Sequence, residues 1–364
     1  MKPLTKTQGL VYFLASSAMA AFLIGCKTSE DYASTDYQQT VHSPKEVTSS
    51  ALTPIESIDT VNLTCPDSII LGTIENVYVA DSMFVVVDNV PAVYGFAPDG
   101  TYKCTYGRRG DAPSEYVNMS ACAVTPAGDE VVIIDSYSQR MQYYDAKSGE
   151  YKYRINFPIG SFDMAQQCVF INDSTALLAR DVYGKNNSVY AAINIADKTV
   201  ENFASVEMTT ENHGIPVGWH AISVYNGKGA YVKPFDPTIY RYVDTKWLFI
   251  EQDKKIYSSE ELAEMTNYSP FTRFEAENNG YFSGYSDIFV LKDWIFLANH
   301  NVSFSLINKT SYEMNTYKYE TDEMLNYVNV ANIIGSIPDN NALIGANNGP
   351  MSEDERFFIY HLSK

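Results

Sequence analysis

The sequence predicts an all-β fold: a six-bladed β-propeller of four-stranded antiparallel blades, closed by its N-terminal strand. Three observations predict it. The first is the stretch 73–116, TIENVYVADSMFVVVDNVPAVYGFAPDGTYKCTYGRRGDAPSEY, where four short runs rich in Val and Tyr are parted by Asp, Asn, Gly and Pro. Such runs are the strands of an antiparallel meander. The second is repetition. VVIID at 131–135 matches FVVVD at 84–88, 47 residues on, and MQYYDAKSGEYKY then matches VYGFAPDGTYKC. Four strands at this period make one propeller blade. The third is a mismatch between the two ends. SIDTVNL at 57–63 is an alternating strand without a blade, and the last repeat (VANIIGSI, NALIGA, RFFIYHL) has only three strands. Pairing the orphan with that repeat closes the ring and hides sheet edges that would invite aggregation.

The elements follow in order. Blade one is 73–107 and blade two 120–157. Blade three runs through CVFIN, TALLARD, VYAAINI and TVENFASV. Blade four is HAISVYN, GAYVKP, TIYRYVD and KWLFIEQ, and blade five DIFVLK, WIFLANH, VSFSLIN and SYEMNTYKY. Six blades over residues 55–362 give about 51 residues each, which leaves room for loop insertions. Two helical patterns interrupt the strands. SSEELAEM (258–265) carries a capping box, Ser258 with Glu261. TDEMLNY (321–327) has Thr321 as N-cap and two acids in its first turn. In a four-stranded blade, alternate connections fall on opposite faces. The long ones, among them 107–119, 158–166, 205–219 and 251–286, share one rim, while the other receives tight turns such as APDG, AKSG and NGKG. Long loops on one rim mark the working face.

Apolar residues make up 45% of the 364-residue chain and charged residues 19%, which excludes a disordered chain. Residues 1–25 read as an export signal, with Lys2 and Lys6 ahead of an apolar stretch, Leu10 to Ile24, too short to span a bilayer comfortably. Leu23-Ile24-Gly25-Cys26 resembles the bacterial lipobox, in which Cys26 is diacylated and becomes the first residue. The acyl chains are then the membrane partner. Residues 26–54, rich in Ser, Thr, Asp and Gln, read as a lipid-anchored flexible tether, and 55–364 as the propeller. Glu30-Asp31 resembles the acidic signal that sends lipoproteins of the Bacteroides lineage to the cell surface. The expected location is therefore the outer membrane, on the cell surface or the periplasmic face. Loss of 1–25 removes two lysines and leaves 24 basic against 44 acidic residues, a net charge of −20. That charge excludes nucleic acid as a partner. Cys65, Cys104, Cys122 and Cys168 are expected as buried free thiols.

YGRRGDAPSEY (106–116) resembles the G-x-x-G-x-G-P-G-E-[FY] linker of six-bladed propeller lipoproteins of the Bacteroides lineage, TolB-like or NHL-like. Gly107, Gly110, Pro113, Glu115 and Tyr116 match, while Ala112 and Ser114 replace two glycines. The resemblance implies an exported lipoprotein and brings no established chemistry.

No G-x-S-x-G, H-E-x-x-H, P-loop or C-x-x-C motif is present. Asp88 and Asp135 hold equivalent places after their second strands, with Asp181 a third candidate. Such residues bond their own turns, and calcium is the one cofactor they would suit. No metal site is expected. Arg108 and Arg109 on the rim read as partners of nearby acids. The ligand seat is expected on the long-loop face near the central channel, touching Arg180, Trp219, His220, Lys233 and His300. These supply charge for a carboxylate or sulfate and a ring for stacking on a sugar. Two functions are compatible with this pattern: a binding or assembly module on the cell envelope, serving a glycan or an envelope protein, and a hydrolase or lyase acting on saccharides or lactones. The missing catalytic motif favours the first.

Overall fold

The strands form where the sequence alternates or runs apolar between turn residues, and in the computed structural model they stack as six sheets. The structure describes residues 39–42, 54–181, 188–206, 218, 220–242, 245–265, 275–299, 303–318, 333–346 and 356–364. In chain order come β1 (Gln39–Val41) and β2 (Ile55–Asn62). Blade one is β3 (Ile74–Ala80), β4 (Met83–Asp88), β5 (Val93–Phe96) and β6 (Tyr102–Thr105). Blade two is β7 (Met119–Val124), β8 (Glu130–Asp135), β9 (Arg140–Asp145) and β10 (Tyr151–Asn156). Blade three is β11 (Ala165–Asn172), β12 (Thr175–Arg180), β13 (Tyr190–Asn194) and β14 (Thr199–Ala204). Blade four is β15 (Ile222–Tyr225), β16 (Lys228–Val232), β17 (Thr238–Arg241) and β18 (Thr245–Ile250), followed by the helix α1 (Ser259–Glu264). Blade five is β19 (Asp287–Val290), β20 (Trp294–Asn299), β21 (Ser303–Asn308) and β22 (Met314–Lys318). Blade six holds β23 (Ile333–Ile337), β24 (Ala342–Ala346) and β25 (Arg356–Leu362).

The first strands of successive blades lie side by side: β3 against β7, β7 against β11, β11 against β15, β15 against β19, and β23 back against β3. The second strands are covered on both faces by neighbouring blades. Every residue of MFVVVD in β4 and EVVIID in β8 is therefore buried, and these read as unbroken apolar runs. The outer strands face water, as the exposed centre of β10 shows.

β2 pairs antiparallel with β25, from Ile55 opposite Leu362 to Asn62 opposite Arg356, and is the outer strand of blade six. The N-terminal strand thus closes the ring as expected. The chain leaving β2 is tied to blade one through Thr64, whose N–H donates to Gly100 O and whose carbonyl accepts from Tyr102 N. Gly100 is required in that turn: its φ is +84°, and a Cβ there would lie 1.9 Å from Asn62 O.

Inside the stretch expected as a tether, β1 forms a fifth strand, parallel to β18, with Gln39 opposite Leu248 and Val41 opposite Ile250. Val41 is 1% exposed and packs with Ile250, Leu248 and Trp247, while its carbonyl accepts from Glu251 N.

The linker 106–116 is a knot of local bonds. The Glu115 carboxylate accepts from Ala112 N at 3.0 Å and pairs with Arg108 Nε at 2.5 Å. Its backbone carbonyl accepts from Arg140 and Gln142 of β9. A Cβ on Gly110 would fall 2.0 Å from Glu115 Oε2, which accounts for that glycine. Arg108 is a partner of Glu115, as expected of a rim arginine.

Asp88 and Asp135 are buried turn residues. Asp88 accepts from Gly72 N and Ala92 N. Asp135 accepts from Val117, Asn118, Tyr137 and Ser138 amides and pairs with Arg140 at 3.1 Å. Burial raises the Asp88 carboxyl against its backbone donors. Burial also opposes ionisation of Asp135, yet its donors prevail and its carboxyl is lowered. By register the third equivalent is Arg180: Ala165 faces Arg180 as Met119 faces Asp135. Asp181, one residue further, accepts from Gln166 Nε2. Cys104, Cys122 and Cys168 are buried free thiols, as expected, while Cys65 is half-buried rather than buried.

Candidate functional site

A cleft of about 680 Å³ opens on the long-loop rim between blades three and four. One wall is the end of β14 and the chain beyond it: Asn202, Phe203, Ala204, Ser205 and Val206, with Ser188. The floor is the turn between β16 and β17, Lys233 to Pro237, continued by Thr238 and Tyr240. Lys246 and Phe249 of β18 form one side. Ile256, Tyr257, Ser259 and Leu262 form the other.

Local chemistry fixes each wall. Ser258 caps α1 and Glu261 reaches back to the Ser258 amide, which places Ser259 and Leu262. Tyr257 lies edge-on to Phe235 and stacks on Tyr281 at 4.1 Å between ring centres. Burial raises the Tyr257 hydroxyl above its ordinary value. Tyr240 stacks on Tyr231, and the Lys233 ammonium sits 4.3 Å from the centre of the same Tyr240 ring. Asp236 is committed within its turn: it accepts from Thr238 N at 2.8 Å and from the Tyr240 hydroxyl at 2.5 Å. The arrangement offers aromatic faces, hydroxyls, an amide and two lysines in one concavity, the composition of a small-ligand seat.

The structure divides the expected site residues. Lys233 lies in the cleft. Arg180 lies beneath its wall, 6% exposed, donating through Nε to Ser188 O and through Nη2 to Asn202 Oδ1. It positions two cleft residues rather than facing the cleft itself. His220 is elsewhere, at the mouth of the central channel and 6% exposed. Its Nδ1 meets Asp287 Oδ1 at 3.2 Å, its amide donates to the same oxygen at 3.0 Å, and its Nε2 meets Asn76 Oδ1 at 2.5 Å. Asn76 belongs to the first strand of blade one and Asp287 to that of blade five, so His220 straps three blades across the channel. Burial opposes ionisation of Asp287, but His220 and Ser286 hold its carboxyl below the usual range. Trp219 and His300 lie outside the described residues, as does Cys26. Among the described residues no group of three or more His, Cys, Asp or Glu side chains converges as metal ligands would.

Sequence reasoning missed Asn202, Tyr240, Lys246 and Tyr257. No motif marks them, because the cleft draws on two blades and the helix after them. The usable signal was the length of the connections 205–219 and 251–286, of whose described residues Ser205, Val206, Ile256, Tyr257, Ser259 and Leu262 line it.

A family model described as a domain of unknown function (DUF4934) matches residues 34–349. Two solved structures share the fold. A presumed exported protein from Bacteroides fragilis is 15% identical, with a TM-score of 0.62 over 90% of this chain and 100% of the other. A member of the DUF4221 family from Bacteroides vulgatus is 10% identical, with a TM-score of 0.56 over 85% of this chain and 97% of the other. At such identities the likeness is one of fold. No curated protein matches the chain.

Proposed function

The chain belongs to the DUF4934 family, and we propose that it is an exported, lipid-anchored propeller that binds a ligand on the cell envelope without transforming it. The observation that carries the reading is the cleft between blades three and four, with Phe203, Tyr240 and Tyr257 beside Asn202, Lys233 and Lys246. Flat rings next to hydrogen-bonding groups suit a saccharide, whose apolar face stacks while its hydroxyls bond. Cys26, after an apolar stretch that ends Leu23-Ile24-Gly25, supports the anchor, and two acyl chains suffice for stable membrane attachment. The outer membrane, on its surface or periplasmic side, is the proposed location. Calcium is not assigned a role.

One observation favours the second reading, a hydrolase or lyase on saccharides or lactones. His220 is paired with Asp287 as a general base would be. Its Nε2, the atom that would take a proton, is already engaged by Asn76. Binding is therefore preferred.

The test is a glycan array probed with the full chain purified in detergent, with and without calcium. A hit that Ser205→Trp abolishes and that is never turned over supports the reading, since Ser205 is an exposed cleft residue. Turnover of the hit reverses it in favour of the enzyme. For the anchor, Cys26→Ala should move the protein from the membrane to the soluble fraction, and unchanged fractionation rejects lipidation there.

A further inference from the structure

We infer that the long-loop rim over blades one and two lies against the surface of the bilayer, an inference that goes beyond the cleft and rests on the Cys26 anchor proposed above. Among the described residues, the large apolar ones more than half exposed are Ile70 at 87%, Val90 at 66%, Tyr137 at 77% and Ile159 at 98%. Val90 lies between β4 and β5 and Tyr137 between β8 and β9, the connections from second to third strand in blades one and two. Ile70 lies between β2 and β3 and Ile159 between β10 and β11, each on the way from an outer strand to the first strand of the next blade. In an antiparallel meander these connections all fall on one rim. Single exposed apolar residues are ordinary on a protein surface, but a set confined to one rim marks a contact.

Hydrogen bonds join the four tips in series. Asn89 N donates to Thr73 O and Gly72 N to Asp88 Oδ2, which ties the connection of Ile70 to the loop of Val90. The Tyr116 hydroxyl donates to Pro91 O, and Asp135 accepts from both Val117 N and Tyr137 N. Gln139 then donates to Asp163 Oδ1 and accepts from Phe162 N, next to Ile159. The tips are thus held in place, with exposed polar residues such as Asn89, Arg109 and Asp111 between them. A rigid protein partner would need a matching row of pits. A fluid lipid interface takes separated apolar tips one by one, and a tyrosine is at home there. Chain length argues for the same occupant. Twelve residues, 27–38, separate Cys26 from β1, a reach of at most about 40 Å, so an acylated chain keeps the propeller at the bilayer. The cleft between blades three and four uses none of these tips, so the contact does not require it to be covered. The chain carries a net charge of −18, so the apolar tips and not charge must make the contact.

The experiment reconstitutes the full chain in phosphatidylcholine vesicles containing brominated lipid, which quenches a tryptophan that enters the interface. Tyr137→Trp and Ile159→Trp report on the tips. Ala127→Trp, in the exposed turn between β7 and β8 on the opposite rim, and Ile58→Trp, on the outer strand β2, are controls read against the unsubstituted chain. The expected result is quenching at both tips and at neither control, unchanged when salt is raised to about 0.5 M. Ile70→Ser/Val90→Ser/Tyr137→Ser should abolish quenching of Ile159→Trp. Ile159→Ser alone, at a residue almost wholly in water, should weaken quenching of Tyr137→Trp without touching the fold, and thermal melts check both variants. Vesicle-bound chain with equal quenching at all four positions, or none at the tips, overturns the docking and leaves the anchor standing. A chain that does not float with the vesicles overturns the anchor and the docking together. Oligomers in detergent that the serine variants disperse assign the tips to a second copy and overturn the membrane contact.

Discussion

Asp135 and Asp88 occupy the same place in adjacent blades, and the structure predicts unequal losses when each is replaced. Asp135 is 0% exposed; four backbone amides and the Arg140 guanidinium point at it. Asp135→Ala leaves Arg140, itself only 9% exposed at its side chain, without its counter-charge. Removing one partner of a buried pair costs about 3–5 kcal/mol. For a domain of this size about 2 °C of melting temperature is lost per kcal/mol, so the expected drop is about 6–10 °C. Asp88 has backbone donors and, among the described residues, no cation paired with it, and Asp88→Ala should cost about 1–3 kcal/mol. Calorimetric melts of both variants, with Arg140→Ala and the Asp135→Ala/Arg140→Ala double variant, give the comparison and the pairwise coupling. The pH dependence has opposite signs. The lowered Asp135 carboxyl gives stability that is present above its unfolded value, about 4, and is lost as pH falls through its folded value. The raised Asp88 carboxyl favours the protonated folded state, a contribution present at low pH and lost as pH rises through the raised value. Equal losses for the two alanine variants, or a coupling between Asp135 and Arg140 below about 0.5 kcal/mol, would refute this account of the turn carboxylates.

Three further outcomes are expected. His220→Leu strips Asp287 and Asn76 of their shared partner and should lower stability by about 2–4 kcal/mol, read by denaturant titration, without changing ligand affinity at the cleft. A loss of affinity with stability intact would place His220 in the binding site after all. Gly335→Ala puts a Cβ 2.1 Å from Val77 O of the neighbouring first strand, so blades six and one must part, at about 1–3 kcal/mol; an unchanged melt contradicts that packing. Val61→Asp introduces a charge into the core face of the closing strand, and light scattering should show aggregation as β25 loses its cover.

The fold was legible because its determinants are local. Runs such as FVVVD and VVIID are buried whole between blades, and Asp, Gly and Asn stop them at regular distances, so strand order and blade boundaries follow from reading along the chain. The missing fourth strand of the last repeat was legible for the same reason. The strand β1 was not: QTV is three residues long, mostly polar, and has only Val41 to bury. The site was legible in part. Lys233 was placed by its position after β16. Arg180 has the same kind of position, but the burial of its guanidinium under Asn202 depends on the reach of a side chain across a sheet. His220 was expected at a ligand and is held by Asn76, 144 residues away in sequence. That partnership follows from closure of the ring, and no spacing in the sequence encodes it.

Closure by β2 also orders the folding of the chain. Ile55 and Leu362 are opposite each other and 307 residues apart, so their pairing encloses nearly the whole propeller in one loop. Contacts of such separation form late, because the entropy of the intervening chain must first be removed by the folding of what lies between. The four strands of each of blades one to five are continuous in sequence and can form as the chain is made, although β1 also joins blade four. Blade six cannot be complete until its final residues emerge. Until then β2 waits without a sheet and β25 has no outer neighbour. The slowest step should be the seating of β2 on β25, and the intermediate before it is the species most open to misassembly with another copy.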